Sequence, residues 1–500
     1  SLIRAGLMFL FWGILLLSGR NKILGDGVFF ALLVLVCLQP LSVHDVGLQL
    51  SFCAVAGIIA VMPAFLGWIS RFQNGRLPLR VLVPILSLLG ISCIANTVLL
   101  PLLVKQFGEW SPHLYLNLLW LPVLGCCVLP LGLVGLGLCL CPGLNVFGGL
   151  LLTCSQKIIE AMVALLHLLD AGGWLETLVP LRPLWPESLG YWILLAALIL
   201  SWHRPKTLPS WIPALGLLLL LTPGIWYSLE SLSNRLTLRM IDVGQGQSVL
   251  LRGPGEHTVL VDGGGSWNQE FDTGRYILSP ALTWGRSPRV DTVILTHDDY
   301  DHLRGLFYIL QHYRVQRFLY NGNWPRGWDG ERLKEILQHR DIPVQTLSAG
   351  MSVPLGDRLH LRVLHPSQLD RPEKDNNASL VLRLCHGHRG LALLPGDIEN
   401  KGLALVLPKS HSLRAEVLIL PHHGSRSSFN PELYFRVAPQ LALVSCGYLN
   451  HFHFPHPEIC AYFEETDIPL ISTARHGETI LHWDLSGSER TLSTKTGPKI

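Results

Sequence analysis

Hydrophobic positions follow two different patterns along the chain. Up to about residue 230 they form long apolar runs. Stretches approaching the roughly 20 residues that cross a bilayer can be drawn near residues 3–19, 27–42, 48–68, 81–104, 114–140, 145–169, 187–202 and 210–228. From Arg235 the pattern changes to short β-type runs separated by turns, beginning with LTLRMIDVGQGQSVLLRG, HTVLVDGGG and VDTVILTHDDYDHLRG. Each run of branched apolar residues ends in Asp, Gly or His, as strands do when they deliver polar groups to one edge of a sheet. Helical segments are expected near Leu303–His312 and Gly330–His339. Further strands (LHLRVLHP, SLVLRLCHG, LALLPGD, AEVLILPHHGS, LALVSCG) run to residue 447. The pattern predicts a polytopic α-helical membrane domain over residues 1–230, with about eight apolar spans, and an α/β layered domain over residues 235–500.

Composition agrees once it is divided the same way. The chain is 49% hydrophobic and 15% charged, against roughly 25% charged in an ordinary soluble protein. Only 11 Lys/Arg and 8 Asp/Glu lie at or before Glu230, so the charge deficit belongs to the first half. This excludes a conventional cytosolic globule and an intrinsically disordered chain. A net charge of +3 is too small to argue for nucleic acid, and any DNA partner has to be argued from motifs. Eight of the eleven cysteines lie at or before Cys154, and the second half has no CxxC. Cys126, Cys127, Cys139 and Cys141 therefore read as small apolar residues. The start at Ser1, inside an apolar run, reads as a fragment of a longer polypeptide and not as a signal peptide.

Basic residues in short loops favour the cytoplasmic side. Arg20 and Lys22, then Arg71, Arg76 and Arg80, place two loops inside, and Arg204 and Lys206 agree if residues 145–169 cross. The second half then lies on the external or periplasmic face. Lys157 and Glu160 in that stretch allow two readings, a polar group lining a path or an interfacial helix that would reverse the topology. Pro63, Pro84, Pro101, Pro122, Pro130 and several glycines interrupt the spans, which suits a channel or transporter whose helices satisfy the freed backbone groups.

Candidate chemistry concentrates at Thr296-His297-Asp298-Asp299-Tyr300-Asp301-His302. Two imidazoles and three carboxylates on one turn after a strand supply the nitrogen and oxygen donors of a metal site. A solvated acidic turn would explain that segment alone. It does not explain Asp397 in LLPGD, His422 and His423 in LPHHGS, or His456 in HFPHP, each just beyond an expected strand end.

The series His297-x-Asp299-x-Asp301-His302, Gly396-Asp397 and His422-His423-Gly424-Ser425 resembles the metallo-β-lactamase superfamily. More specifically it is similar to the C-terminal domain of ComEC-type competence DNA-uptake channels. Asp242-Val243-Gly244-Gln245-Gly246, Val261-Asp262-Gly263-Gly264, Asn376-Asn377-x-Ser379-Leu380 and the segment from Asn450 to His456-Pro457 carry the same likeness. In the first half, Gln39-Pro40-Leu41 and Gly47-Leu48-Gln49-Leu50-Ser51-Phe52 resemble that family's competence domain. The chain departs from the family at Gln247, where an Asp is usual. Asp299 stands where the wider superfamily has His, which hardens the site toward Mn²⁺ or Mg²⁺ relative to Zn²⁺.

The resemblance implies a four-layer αββα metallo-β-lactamase-like fold in the second half and two divalent metal ions, Mn²⁺ or Zn²⁺ with Mg²⁺ as a further option. In it His297 and Asp299 hold one ion, Asp301 and His302 the other, Asp397 bridges, and His422 completes the second site. His423 is either the alternative to His422 or a proton donor to the leaving oxygen. Ser425 would hold a phosphate, and with Asp301 and His423 it makes up the catalytic set. His456 would contact substrate or replace His422, Asn377 and Ser379 would line the cleft, and Asp262 would orient the site. Trp324 and Trp328 are read either as base-stacking residues or as loop anchors. The implied function is a multi-pass channel of a bacterial inner membrane that takes up DNA for transformation, with lipid and other competence proteins as partners. Its metal-dependent deoxyribonuclease domain would degrade the strand that is not transported. The rival readings are a membrane-tethered hydrolase of a small phosphodiester or ester, and a DNA channel whose metal domain is inactive.

Overall fold

The computed structural model describes residues 2–17, 24–73, 77–203, 208–268, 271–368, 376–408, 413–487 and 489–495. Arg20, Lys22, Arg76, Arg204 and Lys206, which carry much of the topology reading, lie outside the described residues. The chain divides into two compact units, Ser1–Pro223 and Gly224–Ile500.

Each of the eight expected apolar stretches overlaps a helix. Among the described residues five helices are long and apolar enough to cross a membrane: Val46–Ser70, Val83–Phe107, Leu114–Cys139, Asn145–Ala171 and Trp211–Ser231. Arg4–Leu17 and Gly25–Leu38 are shorter apolar helices, and 187–202 falls within helix Trp185–His203. By length and composition this is a multi-pass membrane protein. Pro101 shows how its helices tolerate proline. Having no N–H, it leaves the carbonyl four residues earlier without its usual donor. That carbonyl, of Thr97, accepts instead from the Tyr191 hydroxyl at 2.7 Å, and Trp192 Nε1 donates to the Val98 carbonyl at 3.1 Å. A neighbouring helix thus supplies what the proline removes. Lys157 and Glu160 form an exposed i,i+3 ion pair at 2.7 Å.

Among the described residues the second unit holds fifteen strands. β1 (Arg235–Met240), β2 (Val249–Arg252), β3 (Thr258–Val261), β4 (Arg289–Leu295), β5 (Arg314–Tyr320) and β6 (Val344–Thr346) come first. Then follow β7 (Ser352–Gly356), β8 (Leu359–His365), β9 (Val381–His386), β10 (Arg389–Leu394), β11 (Val417–Ile419), β12 (Leu441–Val444), β13 (Leu470–Ser472), β14 (Glu478–Asp484) and β15 (Arg490–Lys495). They form two mixed sheets, ordered β15-β14-β1-β2-β3-β4-β5-β6 and β13-β12-β11-β10-β9-β8-β7. Alternation in β1 and β8 buries every second residue, whereas β4 and β10 are buried almost throughout, as strands covered on both faces are.

Leu238, Val249 and Val261 of the first sheet share one core with Leu361, Leu382 and Leu394 of the second, so the sheets pack face to face. On the outer side of the second sheet, Leu393, Leu418 and Val444 pack with Leu403, Leu433 and Phe463 of the covering helices. Helix Tyr300–His312 buries Leu303, Leu306, Ile309 and Leu310. The fold class is the expected one, apolar helices followed along the chain by an α/β metallo-β-lactamase-like domain.

One close approach sets where helix Tyr300–His312 begins. Gly263 N donates to the His302 carbonyl at 2.7 Å and Gly305 N to the Gly264 carbonyl at 3.0 Å. A Cβ on Gly305 would collide with the Gly263 carbonyl. Gly305→Ala should therefore push the helix off the loop after β3 and destabilise the second unit by about 1–3 kcal/mol, as overpacking does. Thermal unfolding of the detergent-solubilised chain, followed by tryptophan fluorescence, checks this. An unchanged midpoint would mean that the contact does not set the helix position.

Candidate metal centre

The polar residues of interest follow the carboxyl ends of strands in both sheets. Asp262 follows β3, His297 follows β4, Asp397 follows β10, His422 and His423 follow β11, and Ser445 follows β12. Parallel pairing of β3 with β4, of β10 with β11 and of β11 with β12 brings these ends to one edge of each sheet, where α/β sheets place their ligands.

Asp262 is fully buried and accepts four hydrogen bonds. Its Oδ1 takes the Thr296 N–H at 2.8 Å. Its Oδ2 takes the Thr296 hydroxyl at 2.8 Å, His302 Nδ1 at 2.9 Å and Gln247 Nε2 at 3.4 Å. The residue that departs from the family pattern, Gln247, is thus buried and supports this carboxylate. With Nδ1 donating to Asp262, His302 turns Nε2, the nitrogen left to take a proton or a metal ion, toward the cluster. His423 is set the same way, because its Nδ1 donates to the Ser445 carbonyl at 2.9 Å. His302 Nε2 and His423 Nε2 then face each other at 3.4 Å. Two lone pairs cannot satisfy one another, so a proton or a metal cation has to lie between them and the carboxylates.

Asp397 completes the arrangement. Its Oδ1 lies 3.2 Å from His302 Nε2, and its Oδ2 lies 3.2 Å from His423 Nε2 and 4.0 Å from His297 Nε2. Asp301 Oδ2 is 3.5 Å from His423 Nε2. Among the described residues two donor groups are close enough to hold a metal ion, His297 with His302 and Asp397, and Asp301 with His302 and His423. His297 Nε2 and Asp397 Oδ1 are buried without a hydrogen-bond partner, a costly state unless they are ligands. The residues present fit a divalent cation.

Protonation responds to the same field. Burial pulls the His302 and His423 imidazoles down. The Asp397 charge reverses this in both, with Asp262 also acting on His302 and Asp301 on His423. His302 ends well above its ordinary value and His423 at about 10. Burial raises the Asp301 and Asp397 carboxyls, but His302 and His423 overcome it, leaving Asp397 well below the usual range and Asp301 at about 2.

The other expected site residues sit around this cluster. Asp299, half exposed, reaches to 3.5 Å from His297 Nε2. His422 is on the rim, with Nε2 4.0 Å from Asp397 Oδ2 and Nδ1 3.3 Å from Glu399 Oε1. Ser379 Oγ accepts from the Asp397 N–H at 3.1 Å, and so orients Asp397. The Asn377 amide is committed to the Gly402 N–H at 2.8 Å, and it is Asn376 that reaches His422 Nε2, at 3.4 Å. Ser425 Oγ pairs with Ser427 Oγ at 3.0 Å and caps the turn Arg426–Ser428. His456 accepts the Glu458 N–H and caps helix Pro457–Glu465. Trp324 donates to the Gly330 carbonyl at 3.2 Å and anchors its loop, whereas Trp328 is exposed. Sequence reasoning passed over Glu399 and Ser445. Glu399, two residues after Asp397 in LLPGDIEN, had a signal in its spacing, but Ser445 acts through its backbone carbonyl and had none.

Comparison with known proteins bears on both units. Residues 1–205 match the model of the competence protein family, and residues 241–375 match that of the metallo-beta-lactamase superfamily. The second match stops before Asp397 and His423, which only the fold brings to the cluster. ComE operon protein 3 of Bacillus subtilis is 27% identical over 89% of this chain and 56% of its own length. The uncharacterized protein YcaI of Escherichia coli is 27% identical over 95% of this chain and 58% of its own. Competence protein ComA of Neisseria gonorrhoeae is 29% identical over 59% of this chain and 37% of its own. The chain thus spans little more than half the length of the first two relatives. The chain is thus similar to the competence protein family in its first part and to the metallo-beta-lactamase superfamily in its second, and it is similar to competence proteins of two bacteria.

Proposed function

We propose that this chain is the channel and nuclease part of a DNA-uptake protein of a bacterial inner membrane. In this reading the apolar helices pass one strand while the second unit, on the external face, hydrolyses the other. The observation that carries it is the pair of imidazole Nε2 atoms that face Asp397 at the strand ends, each left to take a cation because its Nδ1 is committed to a hydrogen bond, in a chain whose first unit is similar to the competence protein family.

His297 and Asp397, with Asp299 at the rim, would hold one divalent ion. Asp301, His302 and His423 would hold the other, and Asp397 lies beside both groups. When bound, the ions supply positive charge for the phosphate oxygens and acidity for a water molecule, the chemistry of two-metal phosphodiester hydrolysis. Asp262 and the Ser445 carbonyl fix the imidazoles, so little reorganisation is needed as charge develops. His422, partly exposed and backed by Glu399, is placed to deliver a proton to the leaving oxygen. The hydroxyls of Ser425 and Ser427, 3.0 Å apart with Ser427 Oγ 3.3 Å from His422 Nδ1, would contact a phosphate.

The purified chain in detergent, supplied with Mn²⁺ or Zn²⁺, should degrade DNA. Asp262→Asn should lower metal affinity or rate by about 10- to 100-fold, the usual effect of losing a carboxylate behind a ligating imidazole. Metal bound with DNA left intact, while a small phosphodiester or ester is cleaved, would instead support the small-molecule hydrolase. Unaltered DNA uptake after Asp299→Ala with Asp301→Ala would support an inactive metal domain.

A pH dependence follows as well. The raised values of His302 and His423 mean that the metal-free site carries bound protons at neutral pH, which a metal must displace. Affinity should strengthen with rising pH toward about 10, by about two log units per pH unit while both imidazoles are protonated. Calorimetry in buffers of different ionisation enthalpy should detect the released protons. Binding insensitive to pH between 6 and 8 would count against imidazole ligation. Without metal, the raised imidazoles stabilise the fold most below their ordinary value and lose this as pH rises through their raised values, about 10 for His423. The lowered Asp301 and Asp397 stabilise it above the ordinary carboxylate range and lose this as pH falls through their lowered values, about 2 for Asp301.

A further inference from the structure

Two aromatic pairs flank the cluster, one on the turn from each sheet. On the first side, the Trp267 ring lies 4.8 Å from the Tyr300 ring, and Tyr300 stands in sequence between Asp299 and Asp301. The Arg304 guanidinium, 5.6 Å from the Tyr300 ring centre and paired with Asp329 at 3.0 Å, backs that ring. Trp267 is 77% exposed. On the second side, Phe454 stacks on His423 with centres 6.4 Å apart at 26°, and Phe452 stacks on Phe454 at 5.3 Å and 18°. Phe452 is 57% exposed. The Asn450 side chain clips this loop through the Phe454 N–H at 2.8 Å and the Phe454 carbonyl at 2.9 Å.

Large rings left in water on a folded unit indicate a surface that something covers. Here each exposed ring is separated from the donor cluster by one further ring. A phosphodiester at the cluster would project its two flanking nucleotides to either side, and a nucleobase is a flat apolar face of the size these rings offer. Stacking on aromatic side chains tolerates any base but requires that the base be unpaired. We infer that Trp267 with Tyr300, and Phe452 with Phe454, are stacking platforms for the unpaired bases on either side of the scissile phosphate. The nuclease unit thus takes single-stranded or locally opened DNA. This rests on the nuclease reading and adds its substrate form.

The test uses the 500-residue chain in detergent and two fluorescein-labelled strands, a twelve-nucleotide oligo-dT and a strand of equal length whose sugars carry no base. Binding is read by anisotropy with Ca²⁺, and cleavage separately with Mn²⁺. Wild-type chain should bind the base-bearing strand at least about tenfold more tightly. Trp267→Ala and Phe452→Ala should each weaken that binding about tenfold and leave the baseless strand unaffected, with Trp267→Phe and Phe452→Tyr restoring most of it. Neither residue touches a proposed metal ligand, and unchanged metal content with unchanged circular dichroism would show the variants folded. If wild-type chain cleaves DNA but binds both strands alike, or if the variants weaken both equally, the platforms are overturned while the nuclease reading stands. If wild-type chain neither binds nor cleaves DNA, both readings fall.

Discussion

The buried Asp262 carboxylate is the constraint on which the metal centre depends. It lies where β3 ends, and its bonds run to the backbone and side chain of Thr296 at the end of β4, to His302 on the following helix and to Gln247 after β1. A carboxylate without solvent is tolerable only when its lone pairs are filled, and filling them locks three segments together. The same bonds decide which nitrogen of His302 carries the proton. Once that is decided, the Nε2 atoms of His302 and His423 face each other beside Asp397. The cluster then needs a proton or a metal ion among its donors, and a metal would have to displace the protons held there.

Both sheets are needed for this. His297, Asp301 and His302 come from the edge of the first sheet, and Asp397 and His423 from that of the second, so the site closes only when the shared apolar core has brought the sheets face to face. A tie between the Leu380 N–H and the Thr296 carbonyl, at 3.0 Å, crosses at the same level. Burial of leucines and valines far from the chemistry therefore positions the donors. The helices of the first unit follow a different rule. There the requirement is that no backbone polar group be left open to lipid, and Tyr191 and Trp192 meet it where Pro101 breaks the regular ladder.

Much of this was legible in the order of residues. Long apolar runs against short alternating ones separated the two halves, because spanning lipid and lining a layered sheet impose different periods. The strand-to-His297 turn, Asp397 and the His422-His423 pair were recognisable because a metal site draws on a few donor types at strand ends. The supporting shell was less legible. Ser445 acts through a carbonyl that any residue would offer, and Asn376 and Asn377 share a side-chain type that sends one to His422 and the other to the Gly402 N–H.

The two-part architecture, the family likeness and the short list of donors are written in the order of residues, since these depend on hydrophobic period and residue chemistry, both of which are local. Which donors converge is a matter of the folded chain. It seated His423 in the buried cluster and His422 at the rim, because left-handed backbone at both residues turns adjacent side chains apart. It also distinguished Trp324, hydrogen-bonded into its loop, from the exposed Trp267 and Trp328. Those outcomes depend on what each side chain meets across a distance of many residues, and no local pattern encodes that.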